Sequence, residues 1–173
     1  GSYSKIEGFG FIPVTCFSQA LTTFIGQNLG AKEYDRTKKG ALFGTICGIG
    51  IAEVIGIAVF FFSPYLIAAF GGDQKAIEYG IAEAHTIALF YCLLAFSHCM
   101  AAIQRGAGRS IVPMFVMMLV WCGVRVTYIS IVIRIIPVIN VIYWAYPLTW
   151  FISSVIFLIL FLKTDWIHGL EKQ

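Results

Sequence analysis

Apolar residues fall along this chain in blocks separated by short polar stretches. Each block is about 20 residues long, the length a helix needs to cross a hydrocarbon core of about 30 Å. Five transmembrane spans are predicted, over 9–29, 40–62, 82–103, 111–136 and 141–162. Pro13 and Pro113 fall near the starts of the first and fourth, where a missing backbone N–H is tolerated. Ser63-Pro64 is expected to stop the second span and Ile136-Pro137 the fourth, with Pro147 kinking or starting the fifth. The best-marked connection follows Phe24-Ile-Gly-Gln-Asn-Leu-Gly-Ala31. There Gly30 can end a helix, and Lys32, Arg36, Lys38 and Lys39 place four basic residues within eight positions.

Composition agrees with the pattern. Hydrophobic residues make up 59% of the 173 and charged ones 12%, against an ordinary charged share of about 25%. The fold class read from this is an all-α membrane protein, a bundle of five transmembrane helices forming one unit over 1–173. The net charge is +3, and the basic residues sit at the ends of apolar blocks instead of on a basic face with exposed aromatics. Nucleic acid is therefore not an expected partner. Cys16, Cys47, Cys92, Cys99 and Cys122 all lie inside apolar blocks with no CxxC, which reads as buried free thiols. His85, Cys92 and Cys99 recur every seven residues on one helical face. Seven residues rise about 10.5 Å, too far for one metal ion, so neither a metal nor a cofactor is expected.

Counting lysine and arginine gives an orientation. Lys32, Arg36, Lys38, Lys39, Arg105, Arg109, Lys163 and Lys172 fall on one side, and Lys5, Lys75 and Arg134 on the other, with Arg125 inside the fourth span. The eight-to-three bias places the first group, and the C-terminus, in the cytoplasm. Phe62, Tyr65, Phe70, Tyr143, Trp144 and Tyr146 are expected near the outer interface and Trp166 near the inner one. Five spans ending inside require an external beginning, a layout that favours a piece of a longer chain.

Polar residues inside the spans are the candidates for function. Thr15, Ser18, Gln19 and Thr22 share one face of span one, with Thr23, Gln27 and Asn28 nearby. They suit either a wall of a water-filled path or hydrogen bonding between helices. Gly40, Gly44 and Gly48 form overlapping GxxxG units for close helix packing. Glu53 and Arg125 lie at similar depth in spans two and four, where an ionised group costs at least about 2.5 to 3.5 kcal/mol without water or a partner. They are expected either to pair with each other or to serve ion coupling. His98, beside Ser97 in span three, can titrate near neutral pH or simply pack. All three aspartates lie outside the spans, and there is no HExxH or GxSxG, so no catalytic constellation is read and the chain is not expected to be an enzyme.

Gly26-Gln-Asn-Leu-Gly30 with Tyr34-Asp35-Arg36 stands between Ser4-Lys-Ile-Glu7, Phe11-Ile-Pro13 upstream and Phe70-Gly-Gly-Asp73, Gln104-Arg-Gly-Ala-Gly108 downstream. In this order and spacing the sequence resembles the multidrug and toxic compound extrusion (MATE) family of transporters. The resemblance implies helices 8–12 of twelve, arranged in two six-helix lobes, with the N-terminal lobe and seventh helix missing. It also implies a multi-pass protein of the cell inner or plasma membrane, in contact with membrane lipid. The implied activity is antiport, exporting drugs or organic cations in exchange for sodium ions or protons. Gln19, Thr22 and Thr23 are the candidate substrate pathway, and Glu53, His98 and Arg125 the candidates for ion coupling or gating. The sequence departs from the resemblance in its third span, where some members carry a deep acidic residue and this chain has Ser97 and His98. A related flippase for lipid-linked sugars and a non-transporting membrane scaffold are the alternatives.

Overall fold

A computed structural model describes residues 2–168. Lys172, counted above with the cytoplasmic lysines, lies outside the described residues. Helix α1 (Ser2–Gly30) is followed by α2 (Tyr34–Ala69) and α3 (Gln74–Ile87). A 3-10 turn at Ala88–Phe90 joins α3 to α4 (Tyr91–Gly106). The chain continues through α5 (Ile111–Met117), a π-helical stretch at Met118–Val124 and α6 (Arg125–Ile135). Last come α7 (Ile139–Tyr143) and α8 (Ala145–Lys163). Grouped by length and hydropathy these make five helices able to cross a membrane, as the pattern predicts.

The helices are longer than their apolar blocks. α1 begins before residue 9 because Tyr3 and Ile6 are core residues, and the Tyr3 and Tyr91 hydroxyls share a buried 2.7 Å hydrogen bond. α2 does not stop at Ser63-Pro64 but runs on to Ala69. Pro64 has no N–H for the Phe60 carbonyl, and the Ser63 hydroxyl donates to that oxygen at 3.3 Å instead. The predicted stop at Pro137 holds. Ile136 is extended at φ −133°, the conformation a following proline enforces. Pro147 lies in the first turn of α8, just after the break at Trp144.

Gly30 is not the left-handed residue that ends α1. Glu33 N–H donates to Asn28 O and Lys32 N–H to Leu29 O, a Schellman closure with Lys32 in the left-handed position at φ +58°. α4 closes the same way, Arg109 N–H to Gln104 O and Gly108 N–H to Arg105 O, with Gly108 at φ +80°.

The third span is the hub. In its most apolar window 61% of residues are buried, against 6% in the fourth, which lies at the edge. α1, α2 and α4 pack mutually, and α8 lies against α4. The glycine spacing sets this closeness. A Cβ on Gly44 would lie 2.7 Å from Leu21 Cδ1 and one on Gly48 2.6 Å from Cys99 Sγ, while one on Gly56 would drive into the Ala88 carbonyl at the 3-10 turn.

The charged ends sort as expected from the sequence. Arg109 Nη2 donates to Asp165 O at 3.4 Å and Tyr34 lies 5.0 Å from the His168 ring, so the α1–α2 turn, the α4–α5 turn and the end of α8 share one end. Lys5 sits 5.6 Å over the Phe70 ring at the other. Tyr143 and Trp166 are both buried, Trp166 stacked on Phe161 within the bundle. The cysteines are free, but only Cys99 is buried.

Candidate functional site

The polar stripe of α1 divides between two environments. Ser18 is buried, and the Thr22 hydroxyl reaches both Ser18 O (3.0 Å) and, across the interface, Ala102 O (3.3 Å). Thr15, Gln19, Thr23 and Gln27, spaced four apart, lie on the outward face and are exposed. Thr23 returns its hydroxyl to Gln19 O at 3.2 Å. The Gln19 carboxamide, at mid-helix, has no hydrogen-bonding partner among the described residues. Of the three predicted pathway residues, then, Gln19 and Thr23 face outward and Thr22 serves the α1–α4 contact.

Arg125 follows the π-helical stretch. Its Nη2 donates to Thr149 Oγ1 at 2.8 Å, and its guanidinium lies 4.2 Å over the Tyr146 ring and 5.9 Å over Trp121. The expected pairing with Glu53 is not formed, since no ion pair joins the two among the described residues. The reason is topological: α2 packs on α1, α3 and α4, whereas α6 packs on α7, α8 and the π-helical stretch. Glu53 lies instead beside the Cys92 thiol, and Glu53 Oε2 and Arg125 Nε are both buried without a hydrogen-bond partner among the described residues. His98 packs edge-on against Trp121 at 5.6 Å.

Two features were missed in the sequence. Ser97, Ser153 and Ser154 form a buried cluster, Ser97 sharing hydrogen bonds with Ser153 (2.8 Å) and Ser154 (3.0 Å). Trp121 Nε1 donates to Ser153 at 3.3 Å, and Ser154 donates to Leu93 O at 3.1 Å. The i, i+4 pair Thr149 and Ser153 was the available signal, faint within so apolar a span. Glu7 is the second. It lies within electrostatic reach of both Glu83 and Arg125, and Tyr146 within reach of all three. Two carboxylates, one guanidinium and the Tyr3–Tyr91 pair thus gather toward the Lys5 end of the bundle.

Gly26 and Gly106, far apart in the sequence, meet here. A Cβ on Gly106 would lie 2.7 Å from Thr22 O and from Ile25 Cβ, and Gly106 O is 3.5 Å from a Cβ built on Gly26. The MatE family model matches residues 1–131. The chain belongs to the MatE family. In this MatE chain the two glycine motifs are therefore halves of one helix crossing. The probable multidrug resistance protein NorM of Thermotoga maritima is 29% identical over 112 residues, covering 65% of this chain and 24% of that protein. The MatE chain spans about a quarter of the length of that curated relative. A solved inward-facing multidrug resistance MATE family transporter of the MOP superfamily superposes with TM-score 0.76 at 20% identity, over 95% of this chain and 39% of that one. A MATE structure in the bent conformation gives 0.78 at 19%, over 95% and 38%. These likenesses show a shared fold for the MatE chain's five spans.

Proposed function

We propose that this chain is part of the C-terminal lobe of a secondary antiporter that exports drugs or organic cations in exchange for sodium ions or protons. The basic end would face the cytoplasm. One observation carries the reading: Gln19, at the middle of a membrane-spanning helix, presents an unpartnered carboxamide outward between Thr15 and Thr23. In hydrocarbon an unsatisfied amide costs about 4–8 kcal/mol, so this face belongs to water, solute or another segment of the transporter. The names carried by the NorM relative and the MATE structures support the same reading. Glu53, His98 and Arg125 remain the coupling and gating candidates, joined by Glu7 and Glu83. Arg125 suits gating best, because its contacts tie the fourth span to the fifth.

The scaffold alternative accounts for Ser18 and Thr22, which bond within the bundle, but it requires the same of Gln19. Cysteine accessibility separates the two. In membranes of a cysteine-free background, Gln19→Cys is expected to react with a membrane-impermeant methanethiosulfonate, and Leu42→Cys on an apolar face is not. Equal protection of both would refute the water-lined face, since the reagent attacks a thiolate and hydrocarbon holds none.

A further inference from the structure

Beyond Lys39 the exposed face of α2 is largely apolar, with Leu42, Phe43, Ile46, Val54 and Phe61 all more than half exposed, a surface suited to hydrocarbon. Between this face and α8 runs a groove of about 450 Å³ floored by α4. Leu42, Phe96, Met100, Phe161 and Trp166 line it, and Lys38 stands at its polar end. No Asp or Glu lines it, in contrast to the neighbouring recess at Lys39, which holds Glu33 and Asp35. α2 has 36 residues and so is about 54 Å long, more than the about 40–45 Å of a bilayer with its headgroups. Lys38, one turn from its start, therefore falls at headgroup level while the groove descends into the acyl region.

We infer that this groove holds one anionic phospholipid, with an acyl chain along Phe96 and Met100 and the phosphate on Lys38. An apolar slot gives no preference among lipids, and a lysine at its mouth favours a net negative headgroup. The site is separate from the Gln19 face of α1 and does not depend on the transport reading.

The test is native mass spectrometry of the purified chain titrated with palmitoyl-oleoyl phosphatidylglycerol or phosphatidylcholine. One phosphatidylglycerol should be retained about fivefold more tightly than phosphatidylcholine, the size of one juxtamembrane lysine. Lys38→Gln should abolish that preference and Lys39→Gln should leave it. In nanodiscs, phosphatidylglycerol with brominated acyl chains should quench wild-type fluorescence more than that of Trp166→Phe, which is independent of how Lys38→Gln folds. Equal retention of the two lipids, equal loss in both lysine variants, displacement by millimolar inorganic phosphate, or no Trp166-dependent quenching would each overturn the inference.

Discussion

Replacing Gly106 by alanine tests whether the two glycine motifs hold the bundle together. The added Cβ would meet Thr22 O and Ile25 Cβ at 2.7 Å and Ile25 Cγ2 at 2.9 Å, so the first two contacts fall about 0.7 Å short of the 3.4 Å at which ordinary contact begins. Two of these three atoms belong to backbone or to a β-carbon, so no rotamer change relieves them. The α1–α4 crossing must open instead. A gap of 0.5–1 Å forfeits about a quarter to a half of the dispersion energy of the atoms that face it, here Leu21, Ile25, Leu29, Ile103 and their neighbours in one core cluster. Overpacking of this kind costs about 1–3 kcal/mol. At about 2–4 °C per kcal/mol for a chain of this size, a mid-range cost of about 2 kcal/mol lowers the melting temperature in detergent by about 4–8 °C. Exposure of the Cys99 thiol, buried in the same cluster, reports the melting through a fluorogenic maleimide. Gly50→Ala is the control, for nothing lies within 4 Å of its Cβ and alanine gains about 0.8–1 kcal/mol of helix propensity. If Gly106→Ala melts as high as Gly50→Ala, the motifs are not a close-packed crossing.

Other substitutions test single links of the structure. Ser63→Ala should lower stability by about 0.5–1.5 kcal/mol, and Pro64→Ala in the same chain should recover the loss by restoring an N–H to Phe60 O; additive losses in detergent unfolding would refute the rescue. Lys32→Gly should stabilise by up to about 1 kcal/mol, because a side chain at φ +58° costs about 1–2 kcal/mol and glycine's greater unfolded-state freedom offsets part of the relief. The thermal melt reads this gain, and a loss would contradict the strain. Arg125→Lys should weaken the Thr149 contact and the stacking on Tyr146, since a point charge has no planar fork. Its readout is a changed Trp121 emission with overall helicity retained, and wild-type emission would count against the contact.

The five spans were legible because they depend on one-dimensional quantities: apolar runs matched to a bilayer, and the lysines and arginines between them. The glycine ladder was legible for a similar reason, since residues four apart must share a helix face. Ser63-Pro64 misled because a proline's effect depends on whether another donor reaches the freed carbonyl, and the adjacent hydroxyl does so here. α1 does end at Gly30, but the left-handed residue of its Schellman turn lies two positions on, at a lysine. The stripe of α1 was drawn on one face, but Ser18 and Gln19 are adjacent in sequence and about 100° apart around the helix. Which of them meets α4 is decided by a contact between residues 80 apart in the chain, Thr22 to Ala102.

Arg125 shows the limit of depth as a guide to partners. Similar depth in two spans puts two charges at one level of the bilayer, and depth alone made Glu53 the natural partner. The order of helices around the bundle decides otherwise, because α8 stands against the fourth span and α2 does not. The guanidinium is served by a hydroxyl and a tyrosine ring, which leaves its charge without a direct counter-ion among the described residues and Glu7 as the carboxylate in electrostatic reach. Thr149, in turn, donates to the carbonyls of Ala145 and Tyr146, at the start of α8 where Pro147 has no N–H to offer the Tyr143 carbonyl. A rigid-body shift of the fourth span would therefore pull, through Arg125, on the first turn of α8. That coupling arises from the proline, the threonine and the arginine acting together.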